Sequence, residues 1–307
     1  MSEFDDALAI RWADANADEV HQADRPAPPS RPIGAVTLTQ GWLIGGAING
    51  GILMAIATRA LVDVLDAAGG HLDPLAWSTY FVSAAEPGEA RVEVEIIRSG
   101  RTVSTGQVTL LQERDGHWVE RLRLLATLGD LASMTEPARR APERPSMPDP
   151  ERCPRAERTS EFAKPIRLLD RVDIRIDPSS AGFAVGAPSG RGVLRAWLRF
   201  ADGRPVDLAA LPFVVDAFPP VAFDLGLLGW APTLELTGEL WGVPAPGWLQ
   251  VELTTAIVAG SLLEEDATVW DSTGRVVARS RQLAGVRFTG GADSAAAPPR
   301  TPAGGAS

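Results

Sequence analysis

One carboxylate stands out for its surroundings. Asp216 lies in LPFVVDAFPPV (211–221), where every other residue is apolar or proline. An ionised carboxylate in such a place needs a hydrogen-bonding partner or takes a raised pKa, and an acid so placed is a candidate general base. The competing reading puts Asp216 on the one solvent-facing stripe of an amphipathic helix, with no chemistry to do. A second cluster is GGAINGG (45–51), which holds Asn49, one of only two asparagines in the chain. It lacks the Lys-Ser/Thr of a phosphate loop, so its glycines are read as letting backbone pass close to a neighbour or a ligand. Asn49 has two readings of its own: a side chain that hydrogen-bonds a ligand or an adjacent strand, or a helix-capping or turn asparagine.

Other chemistries find no support. There is no Walker A loop, no GxGxxG opening a helix, no HExxH and no GxSxG. The three histidines, His21, His71 and His117, are far apart, and the single cysteine, Cys153, makes neither an internal disulfide nor a CxxC pair. Hence no metal and no cofactor are expected. A formal charge of −10 and a pI of about 4.9 give nucleic acid no electrostatic footprint and leave no polybasic surface for a membrane. No apolar run approaches the roughly 18 residues of a spanning helix. The acidic start MSEFDDALAIRWADANADEV has no signal-peptide core, so the expected location is the cytoplasm.

Periodicity indicates the elements that must position these residues. A chain of 307 residues is near the practical limit of one core, and its composition divides it. Residues 1–30 form an N-terminal extension, 137–165 a Pro/Arg-rich extended linker, and 290–307 a Gly/Ala/Pro/Ser-rich tail expected to be disordered. The two apolar units are 31–136 and 166–289. In the first, Ile48 to Leu65 is apolar nearly all round, which predicts a buried helix stopped by Gly69 and Gly70. Strands are expected at 75–84, 90–100, 102–114 and 117–128, with hairpin turns at 99–101 and 115–116. In the second unit a strand at 191–203 precedes a helix at 207–226, broken or ended at Pro219 and Pro220. Strands at 233–242, 248–260, 262–274 and 275–288 follow. One helix and about four strands, occurring twice, form a weak internal repeat. The expected class is α+β, a double hot-dog in which each unit wraps an antiparallel sheet around a long central helix. Two unrelated α+β domains fit the same elements.

Over nearly all of residues 35–288 the chain resembles the TesB-type acyl-CoA thioesterases, the double hot-dog thioesterases. The resemblance rests on GWLIGGAINGGILMAIATRAL (41–61), LAWSTYFVSAAEPG (75–88) and VEIIRSGRTVSTGQVTLLQ (94–112) in the first half. In the second half it rests on RAWLRFADG (195–203), VVDAFPP (214–220), APTLEL (231–236) and GRVVARSRQLAGVR (274–287). GAINGG looks like the actinobacterial branch of the superfamily. Where bacterial TesB enzymes carry a histidine after the first helix, this chain has Leu75, with His71 a few residues earlier.

The resemblance implies hydrolysis of an acyl-CoA thioester to free acid and CoA. It carries the family's Asp, Thr or Ser, and Gln onto Asp216, Thr233 and Gln282 as catalytic residues. Without it, Thr233 reads as a strand former and Gln282 as an exposed strand residue. Asn49, Gly50 and Gly51 are expected to bind substrate, and a helix start to supply oxyanion donors, at either Gly46–Gly51 or Asp207. Phe213, Phe218 and Trp230 are candidate walls of an acyl tunnel. The partner is an anionic acyl-CoA, which calls for a locally basic entrance, and the chain is expected to form a homo-oligomer, a dimer or tetramer. A hot-dog hydratase or dehydratase is the rival enzyme, though its Asp/His pair finds no histidine after His117. A non-hydrolytic acyl-CoA-binding protein is the rival from another class.

Overall fold

The structure is a computed structural model and describes residues 2–13, 31–133, 138–160 and 163–288. Its frame is one antiparallel thirteen-stranded sheet. The first half contributes β1 (Arg11–Trp12), β2 (Ile33–Leu38), β3 (Asp73–Phe81), β4 (Gly88–Ser99), β5 (Ser104–Arg114) and β6 (His117–Gly129). The second contributes β7 (Val172–Ile176), β8 (Val193–Phe200), β9 (Thr233–Leu240), β10 (Leu249–Thr254), β11 (Leu262–Trp270) and β12 (Val276–Gly285). The thirteenth strand, Val258–Ala259, pairs only with β11. The strand order is β1-β2-β4-β5-β6-β3-β9-β12-β11-β10-β8-β7. Outward from the β3–β9 seam, each half visits its first, fourth, third and second post-helix strands and then its pre-helix strand. The two halves therefore repeat one path, and the fold is a tandem hot-dog.

At the seam Tyr80 lies opposite Glu235 and Ala76 opposite Glu239. Trp77 is packed over Gly238 so tightly that a Cβ there would sit 2.2 Å from the indole, which is why this strand position carries glycine. The hairpin between β5 and β6 turns on Asp115 (φ 53°) and Gly116 (φ 78°), the two positive φ values that the Asp-Gly pair predicts.

Helix α2 (Gly50–Ala67) packs on the inner faces of β3–β6. Val92, Val94, Val108, Leu110, Leu122 and Leu124 alternate inward beneath it and are fully buried. Each such side chain contributes roughly 1.5–3 kcal/mol of burial. The helix ends as the glycines predict, with Gly69 at φ +67° and the Gly70 N–H donating to the Leu65 carbonyl at 2.7 Å.

The second helix departs from expectation. In place of 207–226 there is α3, only Leu211–Val214, followed by a 3-10 turn at Val221–Leu225. Pro219 and Pro220 have no N–H to continue a helix. The N–H groups of Asp216 and Ala217 already reach back three residues, to Phe213 and Val214. Three further strands of the sheet, β1, β2 and β7, lie outside the segments that alternation picked out.

The proline-rich segment is extended but not free. Along residues 138–160 the carbonyls of Pro142, Pro145 and Pro148 accept from Trp270 Nε1, Gln250 Nε2 and Trp197 Nε1, strapping the segment to the second half. Cys153 is buried there, and burial raises its thiol pKa. The N-terminal extension also docks: α1 (Glu3–Ala7), closed by a Ser2–Asp5 capping box, inserts Phe4 between Trp42, Phe200 and Phe213. The expected disordered tail at 290–307 lies outside the described residues, as do 14–30. No helix among the described residues is long and apolar enough to cross a membrane.

Candidate active site

The unwound turn after α3 brings Asp216 to the N-terminus of α2. Asn49 caps that helix by accepting from the Ile52 N–H at 3.0 Å, and its Nδ2 donates to Asp216 at both the carbonyl and Oδ2, each 3.0 Å. The Gly51 N–H donates to the same Oδ2 at 2.7 Å. Two donors and the positive end of α2 thus hold one carboxylate oxygen. The glycines permit this approach. A Cβ on Gly51 would lie 2.7 Å from the Phe213 carbonyl oxygen, and one on Gly50 would lie 3.0 Å from Asp216 Oδ2. Among the described residues no acceptor meets the Gly50 N–H.

The other carboxylate oxygen faces Thr233. Thr233 Oγ1 is 3.4 Å from Asp216 Oδ1 and 2.6 Å from Gln282 Oε1, so its single proton goes to the glutamine. Gln282 Nε2 in turn donates to Glu265 Oε1 at 2.6 Å, and Glu265 Oε2 accepts the Val221 N–H at 2.6 Å. Thr233 and Gln282 come together because β9 and β12 are neighbours, with Thr233 opposite Ala284 and Gln282 opposite Leu236. Gln282 also lies directly opposite Glu265 on β11.

Burial dominates the electrostatics. Asp216 is half-buried as a residue, yet enclosure of its carboxyl group raises its pKa from 3.8 to about 6, against the hydrogen bonds from Gly51 and Asn49 and the long Thr233 contact. Glu265, 4% exposed, is raised from 4.5 to about 7 by burial, with the Asp216 and Asp266 charges adding to it against the Val221 and Gln282 donors. Two perturbed acids joined through an amide and a hydroxyl suit proton transfer and the ordering of a water.

The structure brings Asn49, Gly51, Asp216, Thr233 and Gln282 into one network, with Gly50 beside it. Asn49 both caps α2 and holds Asp216, and the solvent-stripe reading of Asp216 does not describe its place. Asp207 caps only the turn before α3, through the Ala210 N–H, and pairs with Arg204. Phe213 is a correction: it is fully buried in the aromatic cluster with Phe4, Trp42 and Phe200, and so is core rather than tunnel wall. Phe218 is half-buried and Trp230 is exposed. His71 bonds Ser104 and the Arg101 carbonyl, apart from this network. Arg281 on β12 is neutralised by Glu264 and Asp266. A cavity of about 580 Å³ opens elsewhere, among Arg11, Trp12, Arg91, Trp118 and Arg121, and the network residues do not line it. Glu265 is the member that sequence reading passed over, although its parity with Leu263, Ala267 and Val269 marks it as inward-facing.

Comparison with known proteins bears on the family and the fold. The family model of the acyl-CoA thioesterase N-terminal domain matches residues 38–129, and that of the C-terminal domain matches residues 150–286. An uncharacterised Mycobacterium tuberculosis protein is 30% identical over 92% of this chain and 97% of its own length. A Thermobifida fusca crystal structure, assigned as a thioesterase II, superposes with a TM-score of 0.77 at 32% identity, covering 94% of this chain and 98% of that one. A hot-dog-fold protein of unknown function from Alicyclobacillus acidocaldarius has a TM-score of 0.73 at 19% identity, over 94% and 99%, a likeness of fold alone. The chain belongs to the acyl-CoA thioesterase family.

Proposed function

We propose that this protein hydrolyses acyl-CoA thioesters, with Asp216 as general base toward water and Thr233 and Gln282 ordering that water. The observation that carries the reading is the asymmetric carboxylate: Oδ2 is held by the Gly51 N–H and Asn49, while Oδ1 faces a hydroxyl whose proton is turned toward Gln282. Oδ1 therefore keeps lone pairs for a water proton. Water oxygen bonds to the thioester carbonyl carbon as its proton passes to Asp216. The carbonyl oxygen becomes an oxyanion, for which the Gly50 N–H at the start of α2 is the available donor. Collapse breaks the C–S bond, and the proton on Asp216 goes to the departing sulfur, giving acid and CoA thiol. Asp216 regains its charge, so no cofactor is consumed.

The rival hydratase or dehydratase chemistry relies on an Asp/His pair, whereas the groups around Asp216 are an asparagine, a threonine and a glutamine. A panel of acyl-, 2-enoyl- and 3-hydroxyacyl-CoAs separates the readings. Free thiol release supports hydrolysis, hydration without thiol supports the rival enzyme, and saturable binding without either supports a binding protein. The proposal includes self-association in the cytoplasm. Exposed Tyr80, Leu125 and Leu283, on strands at or beside the seam, support such pairing, and sedimentation of the purified chain tests it.

A further inference from the structure

Glu265 is a buried carboxylate that the hydrolytic scheme does not use, yet both side-chain hydrogen bonds it makes among the described residues lead to that site. One oxygen accepts the N–H of Val221, five residues beyond Asp216, and the other accepts Gln282 Nε2. With the Gln282–Thr233 and Thr233–Asp216 contacts this closes a ring running from Asp216 through the Pro219-Pro220 turn, β11, β12 and β9 back to Asp216.

We propose that Glu265 is a positioning residue that sets the donor direction of the catalytic network by fixing the orientation of the Gln282 amide. The inference rests on the hydrolytic reading of Asp216 and deepens it. A carboxylate only accepts, so the Gln282 NH2 must face it, and Gln282 Oε1 must then face Thr233. That turns the Thr233 proton away from Asp216, whose Oδ1 stays open. When Glu265 takes up a proton, its O–H donates and the favoured arrangement reverses. Gln282 turns over, its NH2 faces Thr233 Oγ1, and the Thr233 hydroxyl donates to Asp216 Oδ1, occupying the base.

The charges around Glu265 leave it to act as this switch near neutral pH. Asp216 faces it across the network, and Asp266 adjoins it on β11. Asp266 and Glu264 take Arg281 of β12 for themselves. From β12 it meets only the neutral Gln282, and from the Val221 turn a backbone N–H.

The test is Glu265→Gln, which keeps the shape and, by donating to Gln282 Oε1 while accepting from Val221, imposes the reversed direction at every pH. Two measurements are made on the full-length chain. In acyl-CoA hydrolysis, kcat is expected to fall tenfold or more at pH 8, with KM within about twofold and the acid limb of log kcat reduced from two ionisations to one. In 1H–15N spectra, the Gln282 side-chain amide, assigned by its loss in Gln282→Ala, is expected to shift with a near-neutral midpoint in the wild type and to stay flat in Glu265→Gln. An amide that does not titrate in the wild type, or titrates equally in the variant, overturns the role of Glu265 whatever the activity. An amide that behaves as expected in a protein without hydrolysis leaves the switch standing and overturns the hydrolytic reading instead. Unchanged kcat and an unchanged limb in an active Glu265→Gln enzyme reduce Glu265 to a structural residue.

Discussion

Replacing Asp216 by Asn should stabilise the protein, and increasingly so as pH rises. The carboxyl titrates at about 6 in the folded chain against 3.8 as the reference for the unfolded one. Because the folded pKa is the higher, the native state binds a proton that the unfolded state has already released, and stability is lost as pH rises from about 4 to about 6. At about 1.4 kcal/mol per unit, the ionised carboxylate costs the fold about 1.6 kcal/mol at pH 5 and about 3 kcal/mol at pH 8, somewhat less for the solvent Asp216 retains. The replacement amide can keep its oxygen toward Gly51 and Asn49 and its NH2 toward Thr233, so the isostere removes the charge without orphaning a partner. At roughly 2 °C per kcal/mol for a chain of this size, the variant should gain about 3 °C more in Tm at pH 8 than at pH 5. Thermal melts of both proteins at pH 5, 6.5 and 8 measure it. A difference that is flat with pH, or a destabilisation growing toward pH 8, would refute the claim that Asp216 is held ionised at a cost.

Further outcomes follow from the same geometry. Asn49→Ala removes both the α2 cap and a donor to Asp216, so it should cost about 1–2 kcal/mol in urea unfolding and move the acid limb of hydrolysis upward. Gly51→Ala drives a methyl to within 2.7 Å of the Phe213 carbonyl, and a loss of about 1–3 kcal/mol with weakened hydrolysis is expected. Thr233→Val should lower kcat by about tenfold or more, while Thr233→Ser, which keeps the hydroxyl, should stay within a few-fold of wild type in the same thiol assay. The wild-type rate itself should climb with pH through about 6, because a protonated Asp216 is no base, and a rate that falls across pH 5–8 would count against this role.

The sheet was largely legible in the sequence, because alternation such as Val92 and Val94 against Glu93 and Glu95 leaves one register with a buried face, although Ile96, next in that alternation, is exposed where the register shifts before Arg98. Helix α2 was legible because it is apolar nearly all round and stopped by two glycines. The second helix was not: its composition is as apolar as that of α2, and only the two prolines signal that the chain unwinds there. Asp216 was visible as a lone carboxylate among apolar neighbours, but its partner at the start of α2 is 165 residues away and nothing local announces it. Thr233 and Gln282 came through resemblance alone, since a threonine and a glutamine on strands are ordinary until the topology sets β9 beside β12. The docking of the proline-rich segment depends on carbonyls, which every residue has, meeting Trp197, Gln250 and Trp270, and composition does not record such a match.

The most direct measurement is kcat/KM for acyl-CoA hydrolysis at pH 8, followed as free thiol, in wild type and Asp216→Asn. The expected result is thiol release by the wild type and a loss of about 10²–10⁴-fold in the folded variant. Hydrolysis by Asp216→Asn within about threefold of wild type would contradict the account.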